Sequence, residues 1–299
     1  MSHDSGTPAS VTIPGLQRRA AAGERLVMTT AYDAVTARLA DAAGVDMILV
    51  GDSIGNVCLG FENTLPVTMA MMNHHLEAVV RARCRALLLI DMPYLSYHLG
   101  IQDALRNAGG FIKRGAQGVK LEGGRSRLPV IRAMVDAEIP VMGHLGLTPQ
   151  SLNRMGGHRV QGRTGKAAVT LVEDALRLQD AGCFMVLMEG IPAELAERVT
   201  RELTVPTIGI GAGPGCSGQV LVLHDIVQLT PDPPPKFVRT YMNAFDEIRS
   251  ALAAWGEDVR AGRFPGPQES YILPEDARDM LNAWQPSTDP GGDQKQPSE

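Results

Sequence analysis

Eight short apolar runs recur along the chain, and most stop abruptly on a charged or hydroxyl-bearing residue. In the clearest, VDMILVGDS over 45–53, a stretch of strand length gives way to Gly51, Asp52 and Ser53. ALLLID over 86–91 repeats the device and ends on Asp91. Short uninterrupted runs of this kind read as buried strands, the type found in parallel sheets. The full set covers 26–31, 45–51, 86–91, 118–122, 140–144, 184–189, 206–210 and 220–224. Between them the apolar period shifts to helical over 33–43, 68–83, 101–114, 128–137, 166–181 and 193–203, with Gly44, Gly115 and Gly182 standing where helix C-caps favour glycine.

Strands alternating with helices imply a parallel sheet with right-handed crossovers, and eight such units close into a (β/α)8 TIM barrel of about 250 residues. The 299 residues suffice for one. An open doubly wound sheet is the alternative, but its dinucleotide signature needs G-x-G-x-x-G after an early strand. GIGAG over 209–213 has neither the spacing nor the position. A helix over 11–23 is expected to plug one end of the barrel. The last crossover, 211–219, is too short for a helix, and a long helix is expected over 236–261. Its Phe237, Tyr241, Phe245, Ile248 and Leu252 suit burial against the barrel or a neighbouring subunit. The expected domains are a disordered start over 1–10, a barrel over 11–266, and an extension over 267–299 that is disordered after 285.

A net charge of −5 without a Lys/Arg stripe argues against nucleic acid as a partner. The polar start lacks an apolar leader core, and no run approaches the roughly 18 residues of a membrane span. A cytoplasmic protein acting on a small molecule is expected. Cys58, Cys84, Cys183 and Cys216 form no C-x-x-C pair, so they read as reduced and mostly packed, neither zinc ligands nor disulfides.

Chemistry in such a barrel sits at the C-terminal ends of the strands. The residues delivered there are Tyr32 and Asp33, Asp52 and Ser53, Asp91, Lys120 and Glu122, His144, Glu189, and His224 with Asp225. A single acid after a strand is most often a helix cap or surface charge; agreement among seven strands is harder to dismiss. Asp52 and Asp91, on neighbouring strands, would cancel the charge of a magnesium ion and leave positions for a chelating 2-oxo acid. Such an ion stabilises the enolate formed when the carbon beside the keto group loses a proton. Lys120 and Glu122 share one strand face, so Lys120 either binds the substrate or serves a structural ion pair. Burial would raise Glu189 towards the range of a general base, or the carboxylate is simply buried and satisfied. His144 either assists substrate binding and proton transfer or is a packed histidine.

The runs TTAYD (29–33), LVGDSIGN (49–56), TLPVT (64–68), GVKLEGG (118–124), GHLGLTPQS (143–151), VQGR (160–163), IGIGAG (208–213), GQVLVLHD (218–225) and PKF (235–237) closely resemble the ketopantoate hydroxymethyltransferase family. The resemblance covers about 11–266 and implies a barrel of the phosphoenolpyruvate mutase/isocitrate lyase superfamily. It further implies transfer of a hydroxymethyl unit from 5,10-methylenetetrahydrofolate to 3-methyl-2-oxobutanoate with Mg2+, giving 2-dehydropantoate, the first committed step of pantothenate synthesis. By motif, Asp52 and Asp91 match the metal-binding aspartates, Ser53, Asp91 and Lys120 the oxo-acid contacts, Glu122 an acid close to the metal, and Glu189 the proton acceptor. A homo-oligomer, commonly a decamer, is implied as well. One departure is Ser217, where the family usually has an acidic residue; it is expected in a loop at the rim of the seventh strand. Competing expectations are a Mg2+-dependent 2-oxo acid lyase or mutase of the same superfamily, and a noncatalytic barrel.

Overall fold

The structure is a computed structural model in which residues 10–286 are described. The disorder expected over 1–10 and after 285 falls almost wholly outside them. Two compact units divide the chain, Met1–Phe245 and Asp246–Glu299.

Among the described residues, eight parallel strands close in sequence order: β1 (Leu26–Thr30), β2 (Met47–Val50), β3 (Leu87–Asp91), β4 (Gly118–Glu122), β5 (Val141–Gly146), β6 (Met185–Glu189), β7 (Thr207–Ile210) and β8 (Gly218–Leu221). Closure runs through β1 and β8, where Leu26 pairs with Gly218 and Thr29 with Leu221. In chain order the helices are α1 (Ile13–Ala21), α2 (Ala34–Ala42), α3 (Ile54–Val57), α4 (Met69–Val80), α5 (Ile101–Lys113), α6 (Leu128–Asp136), α7 (Leu152–Met155), α8 (Gly165–Asp180), α9 (Ala193–Glu202), α10 (Leu223–Ile226), α11 (Ala244–Arg260) and α12 (Glu275–Ala283). Side-chain caps start several of them: Thr12, Asp33, Thr68 and Thr164 each accept from a backbone N–H of the first turn, satisfying donors a helix cannot pair internally.

The two-residue period of a strand sorts the barrel interior into layers. Leu26, Met28, Met47, Leu49, Leu87, Leu89, Met142, Met185, Leu187, Ile208 and Val220 form one buried apolar cluster, which Leu16 of α1 joins. Helix α1 therefore closes the end of the barrel opposite the strand C-termini, as its pattern predicts. Along β3 the step after Leu87 and Leu89 on one face is Asp91; along β6 the step after Met185 and Leu187 is Glu189. The apolar floor and the polar rim are thus one alternation that changes chemistry at its last member.

Three expectations are corrected. Strand β8 stops at Leu221 instead of reaching 224, because its register with β1 ends there and the Leu223 N–H turns to the Thr30 hydroxyl at 3.2 Å; His224 lies in the one-turn helix α10. The helix expected over 236–261 begins only at Ala244. Residues before it are held in an irregular path by bonds from the Tyr241 and Ala244 N–H groups to the carbonyls of Ile226 and Val227, at 2.8 and 2.9 Å, so Phe237 and Tyr241 are not on the helix. Ser217 is not at the rim: its hydroxyl stands 3.2 Å from the Thr207 N–H, at the entering ends of β7 and β8. The return from β7 carries no helix among the described residues and runs against α9, where a Cβ on Gly213 would overlap Ala193.

Candidate active site

A cavity of about 370 Å³ opens at the C-terminal ends of the strands. Asp52, Ser53, Asp91, Lys120, Glu122, His144 and Glu189, all singled out from sequence, line it together with apolar Leu49, Leu187, Ile210 and Val220. Its lining combines acids and bases with hydrocarbon.

Asp91 is its hinge. Its Oδ1 lies 2.7 Å from the Lys120 ammonium and its Oδ2 accepts the Asp52 N–H at 2.9 Å. The first contact follows from register, since Asp91 and Lys120 are paired residues of β3 and β4; the second follows from the turn that carries the chain out of β2. Glu122 and His144 are paired in the same way across β4 and β5, with the carboxylate 3.7 Å from Nδ1. On its other side His144 Nε2 is 3.4 Å from Glu189. Gly146 makes this approach possible: it pairs with Glu189 at a φ of +92°, and a Cβ there would collide with the Glu189 carbonyl oxygen.

Burial dominates the electrostatics. Asp52 is pushed up to about 7 by desolvation and then by the Asp91 charge, while Lys120 and the Gln150 amide pull it partly back. Glu122 is held well above the usual carboxylate range by burial and by Asp52. Burial works against the Lys120 charge, but Asp91, Glu122 and Asp52 outweigh it and keep the ammonium protonated. His144 is pushed well below its ordinary value by burial and by Lys120, so it is neutral. Lys120 can only donate, and its Nζ lies 3.4 Å from Nδ1. The tautomer that accepts from Lys120 places the imidazole proton on Nε2. Glu189 is raised to about 7 by burial, opposed by the charge of Lys120.

Asp52, Asp91 and Glu122 are three buried carboxylates set against one buried ammonium. That excess of negative oxygen donors fits a hard divalent cation and does not resemble a zinc site. Among the described residues no three His, Cys, Asp or Glu side chains are drawn together as a preformed metal cage. Magnesium is commonly held by one or two carboxylates, with waters and substrate completing its shell.

Not every rim candidate joins the site. Asp33 caps α2, accepting from the Val35 and Thr36 N–H groups at 2.7 and 2.9 Å. Tyr32 is buried behind Ser53, their hydroxyls 2.8 Å apart. His224 faces Cys58, Nε2 to Sγ 3.5 Å, while Asp225 lines the cavity. Two buried residues without an assigned role from sequence, Tyr97 and Gln150, lie under the acids, and Gln150 donates to Asp52 at 2.8 Å. Gln150 sits within the TPQS motif after the fifth strand, which was its only signal; Tyr97, in an irregular loop, had none.

Comparison with known proteins gives the family. The family model described as ketopantoate hydroxymethyltransferase matches residues 10–267. The chain is 62 % identical over 289 residues to 3-methyl-2-oxobutanoate hydroxymethyltransferase 2 of Bradyrhizobium diazoefficiens, covering 96 % of this chain and 99 % of that protein. It is 63 % identical over 288 residues to 3-methyl-2-oxobutanoate hydroxymethyltransferase of Methylobacterium sp. (strain 4-46), covering 94 % and 100 %. Among solved structures, 2,3-dimethylmalate lyase, a PEP mutase/isocitrate lyase superfamily member, superposes with a TM-score of 0.53 at 17 % identity, covering 92 % of this chain and 99 % of that one. Phosphonopyruvate hydrolase, in a complex with oxalate and Mg++, gives 0.54 at 14 % identity, covering 91 % and 97 %. At these identities the two structures establish the shared barrel fold alone.

Proposed function

The chain belongs to the ketopantoate hydroxymethyltransferase family, and from that premise we propose that it transfers a hydroxymethyl unit from 5,10-methylenetetrahydrofolate to 3-methyl-2-oxobutanoate, forming 2-dehydropantoate for pantothenate synthesis. The observation that carries this reading is the Asp52–Asp91–Lys120 contact set enclosed in one cavity with Glu189. Such a site binds a small anion through one group and removes a proton from it with another.

Asp52 and Asp91, with Glu122 close by, would hold a magnesium ion. When bound, that ion supplies Lewis-acid stabilisation of the negative charge developing on the keto oxygen. Lys120, kept charged by its carboxylate neighbours, and the Ser53 hydroxyl, held by Tyr32, orient the oxo acid. The hydrocarbon of Leu49, Leu187, Ile210 and Val220 suits the branched alkyl end of the substrate. Glu189 accepts the proton on C3. As that C–H bond breaks, its electron pair forms the new bond to the one-carbon unit delivered by the folate; both bonds from that carbon to the folate nitrogens break, a water supplies the hydroxyl oxygen, and the C3 proton and one water proton go to the two nitrogens, leaving tetrahydrofolate. Neutral His144 lies beside the carboxylate, its Nε2 3.4 Å from Glu189. The resemblance to a decameric family, with the exposed apolar residues Ile248, Leu252 and Trp255 of α11, supports a homo-oligomer. All four cysteines are free thiols, which fits the reducing cytoplasm.

The test is an assay of 3-methyl-2-oxobutanoate with 5,10-methylenetetrahydrofolate, with and without Mg2+. Expected is 2-dehydropantoate that needs both the folate and the ion; product formed equally well after chelation would remove the metal from the proposal.

A further inference from the structure

Gln150 lies in the single 3-10 turn Pro149–Ser151 after β5, and it is 5 % exposed. Its Nε2 donates to Asp52 Oδ2 at 2.8 Å and to the Met92 carbonyl at 2.9 Å. Its backbone N–H donates to Glu122 Oε2 at 3.0 Å. Its Oε1 accepts the Tyr97 hydroxyl at 2.6 Å, and that hydroxyl in turn accepts the Glu122 N–H at 3.2 Å. One amide therefore ties together the segments that follow β2, β3 and β5 and the end of β4. Both side-chain donors and the acceptor are used, a demand that neither a carboxylate nor a hydrocarbon meets. An amide also adds no charge to a pocket already crowded with buried carboxylates.

We propose that Gln150, itself set by Tyr97, is a positioning residue that fixes the Asp52 and Glu122 carboxylates for the cation. The proposal rests on the reading of Asp52 as a metal ligand given above. A freely rotating carboxylate must be ordered when the ion binds, whereas one already held by Gln150 is not; outer partners of this kind are typically worth 10- to 100-fold in metal affinity or activity. Tyr97 acts one step further out, so its share is smaller.

Mn2+ binding to substrate-free protein, followed by electron paramagnetic resonance, tests this on the wild type and on Gln150→Met, Tyr97→Phe and Asp52→Asn, each checked for folding by circular dichroism. Expected are loss of the ion in Asp52→Asn, roughly 10- to 100-fold weaker binding in Gln150→Met, and a few-fold weakening in Tyr97→Phe. A purely structural role would lower the unfolding temperature and leave the Mn2+ affinity of the folded protein unchanged. If Asp52→Asn loses the ion while Gln150→Met and Tyr97→Phe keep wild-type affinity, the positioning role is wrong and the ligand reading stands. If Asp52→Asn binds like the wild type, or the wild type binds no ion, the ligand reading fails and the positioning role falls with it. Should Gln150→Met not fold, Tyr97→Phe decides, because it keeps the ring and deletes only the hydroxyl.

Discussion

Glu189 shows how a residue acquires chemistry from its neighbours. A carboxylate in water is ionised far below neutrality and is a weak base; burial at the end of β6 lifts this one to about 7. Only the ionised form can take a proton from C3, so activity limited by this step should rise with pH and level off above about 7. Exchange of the C3 proton of 3-methyl-2-oxobutanoate with deuterated water, followed by NMR, isolates the step. Glu189→Gln should slow the exchange by roughly 10²- to 10⁴-fold while leaving oxo-acid binding near the wild-type level. Undiminished exchange would take Glu189 out of the role. The sequence placed Glu189 after an apolar run and thereby implied its burial. It could not show the 3.4 Å contact to His144, which needs β5 and β6 laid side by side.

At the scale of elements, the return from β7 to β8 differs from the six helix-bearing crossovers. Gly211 to Ser217 is too short for a helix, so the backbone itself packs on α9. Gly213 has a φ of +74°, and an added Cβ would meet that of Ala193. Gly213→Ala should therefore destabilise the protein by about 1–3 kcal/mol, the usual cost of overpacking, with the left-handed backbone adding to it. The contrasting case is Gly109 within α5, where an added Cβ meets nothing within 4 Å and the backbone is helical. Gly109→Ala should stabilise by about 0.5–1 kcal/mol. Urea unfolding of both variants decides, and equal effects would refute the packing argument. Local periodicity was enough to find these elements, because each buries one face and repeats at 2 or 3.6 residues. It misplaced the start of α11 because the bonds from Tyr241 and Ala244 to the α10 carbonyls are tertiary. It misplaced Ser217 because a loop that runs the length of the barrel has no period to reveal which end each residue occupies.

For the whole molecule, the exposed apolar residues predict company. Ile248, Leu252 and Trp255 of α11 are 49 %, 61 % and 55 % exposed, and Val35 and Leu39 of α2 are 65 % and 62 %. Apolar faces of this kind on a folded protein commonly mark contact surfaces. Light scattering coupled to size exclusion should give a mass several times the 32.0 kDa of the chain; a monodisperse monomer at micromolar concentration would overturn the oligomer reading. The sequence by itself determined the alternation of strands and helices, the closed parallel barrel, and the polar residues that end most of its strands, since these follow from the spacing of apolar side chains along the chain. Tertiary structure alone decided which of those residues meet. Asp52 and Gln150 are 98 positions apart, and only the shear and closure of the barrel bring them to 2.8 Å. Distances of that kind, and the burial they create, turn ordinary carboxylates into a site able to hold a cation and accept a proton.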